Sequence, residues 1–230
     1  MFRPKSPWII DALSGLQSLV FPSVCVMCNR FAEYICETCK QQWVLPPRHI
    51  EFADVPTSSV VAYSHQVSSV VLKAKEDGNR AARRLIAETL YTAIDLISKR
   101  DPQQPLLIVP IPSSRRAIRQ RGESFLHPIM KQVIDIAHRH SRDWIWKEIL
   151  IHKKKVRDQA GLNSQERLQN LQGVFTVRDG VFVDRPVIVV DDVITTGATL
   201  RNAILALNES KMTVLGASTA CASAHQFLIR

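Results

Sequence analysis

The sequence lacks an uninterrupted apolar segment long enough to cross a bilayer, which takes about 20 residues. The apolar part of the N-terminal region is broken by polar or flexible residues at Asp11, Ser14, Gly15 and Gln17. A secretory cleavage site is also missing, because Val24 before Cys25 is not the small residue that such a site requires. We therefore expect a cytoplasmic protein without membrane insertion, whose residues 8–20 form an amphipathic helix packed on the rest of the chain.

Acidic and aromatic residues are both scarce. The chain has 21 Asp and Glu against 30 Lys and Arg, which gives a net charge of +9. This excess favours anionic partners such as nucleic acid, nucleotides or pyrophosphate, without choosing among them. Aromatic residues make up 7% of the chain, and Trp144 and Trp146 are the only close tryptophan pair, so a stacking platform for single strands has little support.

Cysteine is absent from most of the chain and concentrated in one short segment. Two C-x2-C pairs, separated by seven residues, contain Cys25, Cys28, Cys36 and Cys39. Four thiolates on two tight turns are typical of a structural Zn²⁺ site, and metal binding would supply the folding free energy that a segment of about 30 residues lacks. Disulfides or a redox pair are the alternatives, although a reducing cytoplasm disfavours the first. Cys221 is expected to be a core residue.

The composition divides the chain near residue 50, where Pro46, Pro47 and Pro56 mark a linker. We predict an N-terminal helix and zinc-ribbon-like module in residues 1–50 and a second domain in residues 51–230. In the second domain, strands are expected at residues 59–63, 106–109, 187–190 and 213–219, and helices at residues 81–98, 125–138, 164–171 and 198–207. This alternation predicts an α/β fold whose parallel sheet is flanked by helices and binds ligands beyond the carboxyl ends of its strands.

The third apolar run leads into DDVITTGAT, the 191–199 segment. Asp191 and Asp192 set two carboxylates side by side, and ribose hydroxyls or a hydrated Mg²⁺ ion would offset the cost of that arrangement. Hydroxyls and backbone N–H groups just before a helix form an anion site, and a glycine allows close approach. The residues concerned are Thr195, Thr196, Gly197, Ala198 and Thr199. An acidic turn with an ordinary threonine N-cap is the alternative, but it does not account for all these features together.

Basic segments elsewhere could meet the same anion. Lys73 and Lys75 precede a turn, and the strand at residues 106–109 is followed by arginines at Arg115, Arg116, Arg119 and Arg121. If that strand neighbours the one before Asp191, the arginines lie at the same edge of the sheet, where guanidinium groups suit pyrophosphate or a nucleic-acid backbone. Our candidates for pyrophosphate are Lys75 and Arg121. An exposed helix face or helix end without a ligand is the alternative for each.

The 191–199 segment resembles the phosphoribosyl-pyrophosphate signature of the type I phosphoribosyltransferases. The resemblance implies a sheet of that family's type. It implies that Asp191 and Asp192 hold the ribose hydroxyls and form the catalytic pair, whereas residues 195–199 hold the 5-phosphate.

The order of motifs along the chain is similar to that of the ComF family of phosphoribosyltransferase-like competence proteins. It runs from the cysteine pairs through the Lys-rich turn, VPIP with the arginines up to Gly122, and Gln159 with Arg167, to the 191–199 segment. The family usually has Phe, Asn and Gln where this chain has Glu123, Ser124 and Phe125.

The ComF resemblance implies binding of phosphoribosyl pyrophosphate with Mg²⁺, binding of single-stranded DNA, a competence helicase as partner, and a role in DNA uptake. The alternative is a metabolic phosphoribosyltransferase that moves the phosphoribosyl group onto a nitrogen base. No sequence feature identifies a pocket for such a base, so turnover remains open.

Overall fold

The computed structural model describes residues 24–32, 35–50, 52, 55–99, 101–153, 173–181 and 183–223. The helices predicted at residues 8–20 and 164–171 lie outside these residues, as do Gln159, Asn163 and Arg167. The described strands are β1 Arg48–Ile50, β2 Thr57–Tyr63, β3 Leu106–Pro110, β4 Trp144–Trp146, β5 Leu150–His152, β6 Phe175–Val177, β7 Val187–Ile194 and β8 Val214–Ser223. The described helices are α1 Glu37–Lys40, α2 His65–Glu76, α3 Arg80–Ser98, α4 Arg115–Arg121, α5 Leu126–Arg139 and α6 Ala198–Glu209.

A six-stranded sheet runs through the molecule in the order β1-β2-β8-β7-β3-β4. The pair β1 and β2 is antiparallel, and all the other neighbours in this sheet are parallel. The α/β class and the mostly parallel sheet expected from the sequence are thus confirmed. Because β7 lies between β3 and β8, the carboxyl ends of these three strands meet at one edge, as the prediction for the arginine segment required.

The central strands are covered on both faces, which explains why their sequences lack polar alternation. All five residues of β3 and the first four of β7 are buried. One apolar cluster contains side chains from α3 and α5, including Leu90 and Ile129, and the other contains side chains from α6, including Leu200 and Leu207. Burial of these two clusters is the main favourable contribution to folding.

The strand β7 is longer than predicted. Its pairing with β8 continues past Val190 through Asp191↔Thr219 to Ile194↔Ala222, so both acids belong to the strand itself and not to the loop after it. The expectation of a strand limited to residues 187–190 was wrong because pairing across the sheet, which the sequence does not display, outweighs the low strand propensity of aspartate.

The cysteine segment packs on the main core. Cys25, Val26, Cys39 and Trp43 are buried in the same apolar cluster as the side chains of α3 and α5. Strand β1, which precedes the predicted boundary at residue 51, pairs with β2 and extends the sheet. In the part of the chain that the structure describes, no helix is both long and apolar enough to cross a membrane.

Candidate functional site

The two acids of β7 differ in their exposure to solvent. Asp191 is partly exposed, whereas Asp192 is 7% exposed and therefore buried. The backbone N–H of Asp192 donates a hydrogen bond of 2.9 Å to Oδ1 of Asp191. Asp191 thus lies nearer to the solvent than Asp192, which is held within the protein.

Lys75 accounts for the burial of Asp192. Its Nζ lies 2.6 Å from Oδ2 of Asp192, and the side chains are 29% and 10% exposed respectively. Helix α2 starts just after β2, where Ser64 accepts a hydrogen bond from the N–H of Val67, and it ends one residue after Lys75. Lys75 therefore lies in the last turn of α2, and this end of the helix lies against the acidic pair.

The pKa of Asp191 is raised well above its ordinary value. Burial among protein atoms is the largest cause, the negative charge of Asp192 is the next, and the positive charge of Lys75 opposes both. A single ammonium group therefore does not fully offset two neighbouring carboxylates. Cationic or hydrogen-bond-donating groups brought by a ligand would find this site favourable.

The N-terminus of α6 at Ala198 follows Asp192 after five intervening residues. Gly197 precedes α6 with φ of 74°, in the left-handed region that favours glycine. The N–H of Arg201 donates to the Gly197 carbonyl at 2.9 Å, and the amides ahead of Arg201 in the first turn have no acceptor within the helix. The neighbouring positions Thr195, Thr196, Ala198 and Thr199 are exposed. This end of α6 can therefore present N–H and hydroxyl donors to an anion.

The Phe52 ring packs against Gly197. A side chain at position 197 would overlap the Phe52 ring, and the guanidinium carbon of Arg201 lies 5.5 Å from the ring centroid. From the sequence, the close approach at Gly197 was expected to be that of a phosphate. The approach that the structure contains is between Gly197 and an aromatic ring.

Arg121 and Lys75 lie against one aromatic ring. The Phe125 ring is 5.1 Å from Nζ of Lys75 and 6.0 Å from the guanidinium carbon of Arg121, measured to its centroid. Arg121 also lies 3.9 Å from a carboxylate oxygen of Glu76. The two cations proposed for pyrophosphate are thus brought to one place, although only Lys75 contacts an acid of β7.

The residues that depart from the ComF pattern make contacts of their own. Glu123 accepts a 2.8 Å hydrogen bond from Arg83, which also donates to the Ala74 carbonyl at 3.2 Å. The N–H of Phe125 donates to the Ser113 hydroxyl at 3.2 Å. Through Arg83, Glu123 connects the turn after α4 to the C-terminal part of α2, the helix that carries Lys75. The Phe125 bond connects the same turn to the loop after β3.

The other arginines of α4 are exposed. Helix α4 starts at Ser114, whose hydroxyl accepts from the N–H of Ala117, and buries none of its residues. Arg115, Arg116 and Arg119 form no ion pair with any residue in the described ranges. Trp144 is fully buried, so Trp144 and Trp146 do not form an exposed stacking platform, in line with the weak support for one in the sequence.

The four N-terminal cysteines come together as a cluster suited to a metal. Their sulfur atoms all lie within 4.8 Å of one another, and four sulfurs at about 2.3 Å from one zinc ion would be about 3.8 Å apart. Asn29, with φ of 57°, donates its N–H to the Cys25 carbonyl at 2.9 Å and closes the first turn. The second turn leads into α1, where the N–H groups of Cys39 and Lys40 bond to the Cys36 carbonyl.

The thiols of this cluster differ in acidity. Burial raises the pKa of Cys25, but hydrogen bonds from the backbone of Cys36, Cys28 and Met27 outweigh it and lower that pKa to about 6. Burial, followed by the neighbouring thiols, raises the pKa of Cys39. A divalent cation at the centre would stabilise the thiolate form of all four. The donor set therefore fits Zn²⁺, with four thiolates and no open position.

Two aromatic residues of the site had no signal in the sequence. Phe52 follows a proline-containing stretch without periodicity, and Phe125 was predicted only as the first residue of a helix. Their contacts with Gly197 and with the two cations join segments far apart in the chain. An aromatic residue next to a motif in space, and not in sequence, leaves no local pattern to detect.

No protein-family model matches the chain, and no curated protein does so. Solved structures similar to it include the allosteric regulatory enzyme of purine biosynthesis, with 16% identity and a TM-score of 0.34, covering 61% of this chain and 26% of that one. Adenine phosphoribosyltransferase from Saccharomyces cerevisiae has 10% identity and a TM-score of 0.37, and the match covers 66% of this chain and 75% of that one. Orotate phosphoribosyltransferase from Aeropyrum pernix has 16% identity and a TM-score of 0.35, and the match covers 64% of this chain and 63% of that one. Similarity at this level does not assign a function.

Proposed function

We propose that this protein binds 5-phosphoribosyl-1-pyrophosphate at the 191–199 segment. The observation that carries the proposal is the connection between β7 and α6. It presents two adjacent carboxylates and, after five intervening residues of which the last is a left-handed glycine, a helix N-terminus. A phosphorylated sugar needs hydrogen-bond acceptors for its hydroxyls and donors for its phosphate. This connection offers both within nine residues.

The proposed roles follow the chemistry of each group. Asp191 and Asp192 accept hydrogen bonds from the ribose hydroxyls and form the catalytic pair if transfer occurs, while residues 195–199 donate to the 5-phosphate. Lys75 and Arg121 attract the pyrophosphate, and Mg²⁺ would offset its charge. The burial of Asp192 against Lys75 means that ligand binding has to rearrange this ion pair, with the lysine turning from the carboxylate to the pyrophosphate.

Calorimetric titration with phosphoribosyl pyrophosphate and Mg²⁺ tests the proposal. We expect Asp191→Asn with Asp192→Asn to weaken binding by at least about tenfold, since each lost hydrogen bond to a charged group contributes about 1.5–3 kcal/mol. Asn keeps the size of Asp, so the fold should persist. The matched control is Asp135→Asn with Asp179→Asn, two exposed acids on other elements.

Ribose 5-phosphate separates the two halves of the site. Because it lacks pyrophosphate, its affinity should fall in the Asp191→Asn and Asp192→Asn variant and change little in Arg121→Ala. The affinity for phosphoribosyl pyrophosphate should fall both in the double aspartate variant and in Arg121→Ala. Equal binding of phosphoribosyl pyrophosphate by the wild type and the double variant would refute the proposal.

Single-stranded DNA binding, as the ComF resemblance implies, is a second candidate function. The observation that favours it is the set of exposed arginines on α4, at the end of the strand next to β7. Binding through such residues should weaken steeply as the salt concentration rises. A role in DNA uptake beside a helicase partner is what the ComF resemblance implies for such an activity.

Phosphoribosyl transfer to a nitrogen base is the alternative to that second candidate. Incubation with phosphoribosyl pyrophosphate, Mg²⁺ and a panel of bases tests for transfer, because pyrophosphate release that depends on an added base and yields the nucleotide of that base requires it, whereas hydrolysis by water does not depend on the base.

A further inference from the structure

A groove lies between α4 and the two-stranded sheet formed by β5 and β6. Its volume is about 610 Å³, which is within the range of about 300–1,000 Å³ typical of small-molecule sites. Among the described residues that line it, none belongs to the 191–199 segment, and neither Lys75 nor Arg121 is present. The groove is therefore distinct from the proposed phosphoribosyl site, although both adjoin the loop after β3.

The two walls of the groove carry exposed apolar side chains. Ile118 on α4 is 37% exposed and Ile151 on β5 is 38% exposed, and both line the groove. Pro112 and Leu150 add further apolar surface. Large aliphatic side chains on both sides of a concave site favour a ligand with a flat apolar body that contacts both walls.

The same groove carries an excess of positive charge. Arg115, Lys153 and Arg178 line it, and none of them forms an ion pair with another residue in the described part of the chain. Its one acid among the described lining residues, Glu148, lies 3.4 Å from His127. Unpaired cations that converge on a concave surface favour an anionic ligand.

The walls are fixed relative to each other. Nε2 of His152 lies 3.2 Å from the Pro112 carbonyl oxygen and, when protonated, donates a hydrogen bond to it, which joins β5 to the loop after β3. The His152 ring also packs on Phe175 with centroids 5.0 Å apart. A preformed groove binds a ligand without the cost of ordering its own walls.

We propose that this groove binds a nucleotide unit, with the base between Ile118 and Ile151 and the phosphate at Arg115, Lys153 and Arg178. Inorganic phosphate alone would leave the apolar walls unused, and a neutral apolar ligand would offer no negative charge to the three cations. Hydroxyls of Ser113, Ser124 and Thr176 also line the groove and can donate to or accept from the edge of a base. The proposal goes beyond the phosphoribosyl site and does not depend on it.

A free nucleotide and one nucleotide of a single strand present the same chemistry, so the test includes both. Calorimetric titration with dAMP and anisotropy with a fluorescein-labelled oligothymidylate measure affinity for the full chain. We expect Ile118→Asp and Arg178→Glu each to weaken binding by about tenfold or more. The matched controls are Leu205→Asp, at a leucine 41% exposed on α6, and Lys131→Glu, at an exposed lysine on α5; both should stay within about twofold of the wild type.

The outcomes separate the two sources of the ligand. Loss of dAMP binding in the groove variants supports a free nucleotide, and loss of oligothymidylate binding alone supports a strand. Because dAMP itself carries a sugar 5-phosphate, Asp191→Asn with Asp192→Asn separates the two sites. Binding that this variant abolishes and Ile118→Asp leaves intact belongs to the 191–199 segment and counts against the groove, whereas binding lost in Ile118→Asp and Arg178→Glu but kept in the aspartate variant supports the groove whether or not the phosphoribosyl proposal holds. The proposal is overturned if neither probe binds, or if binding persists in Ile118→Asp and inorganic phosphate competes fully with it.

Discussion

Lys75 and Asp192 form an ion pair of 2.6 Å between the last turn of α2 and strand β7. The pair joins a helix that follows β2 to a strand more than a hundred residues later, so it contributes to the tertiary fold as well as to the site. The cation lies on the carboxylate that we assign to the ribose hydroxyls. The unliganded site therefore holds its own counterion, and a ligand has to offer enough new contacts to replace it.

Removing Lys75 should destabilise the protein. We expect Lys75→Met to lower the free energy of unfolding by about 2 kcal/mol, because it leaves Asp192 buried without its partner, and the partial exposure of Lys75 makes this less than for a fully buried pair. Adding Asp192→Asn should restore most of the loss, which denaturant unfolding of both single variants and the double variant would measure. Lys73→Met, on the same helix, is the control. If the effects of the two single substitutions on the free energy of unfolding simply add in the double variant, the proposed coupling between Lys75 and Asp192 is contradicted.

Asp191 should make stability depend on pH. Its pKa is higher in the folded protein than its ordinary value of 3.8, so the folded state binds this proton more tightly than the unfolded chain does. The resulting stability is present below about pH 4 and is lost as the pH rises through the raised pKa.

As the pH rises from about 5 to about 8, the melting temperature of the Asp191→Asn variant should therefore increase relative to that of the wild type. Asp179→Asn, which changes an exposed acid, serves as the control. A difference between Asp191→Asn and the wild type that stays constant over that range would contradict the assignment.

The cysteine cluster should hold about one zinc ion per chain. Elemental analysis of the purified protein checks this number, and Cys25→Ser with Cys28→Ser should abolish it. Because two of the four, Cys25 and Cys39, are buried in the main apolar cluster, removal of the metal should also lower the melting temperature. Cys221→Ala, which changes the buried cysteine of β8, should keep the metal. Zinc content that is unchanged in the double variant would show that the metal is held elsewhere.

Gly197 should tolerate no side chain. Its φ of 74° is strained for alanine, and a methyl group would overlap the Phe52 ring. We expect Gly197→Ala to cost about 2–3 kcal/mol of stability. Adding Phe52→Ala removes the overlap and should leave about 1 kcal/mol from the backbone. Chemical denaturation of the two variants measures both, and an identical cost of Gly197→Ala with and without Phe52 would contradict the overlap.

The sequence by itself determined the elements that have strong local patterns. The buried strands β3 and β7, the long amphipathic helix α3, the helix α6 and the clustering of four cysteines follow from apolar runs, helical periodicity and the spacing of like residues. Their extents differ from the prediction mainly at the ends, most of all in β7. The acids, threonines and glycine of residues 191–199 were found in the same way, because one strand, turn and helix contain them all.

Only the tertiary structure decided which distant residues meet at these elements. The order of the strands puts α2 beside β7 and so brings Lys75 to Asp192, and the connection between β1 and β2 sets Phe52 on Gly197. The groove between α4 and the β5–β6 sheet likewise arises from two segments that have no pattern in common. Hydrophobic periodicity reports the face that an element buries, but the partner of that face depends on how the whole sheet assembles, and that information is spread over the chain.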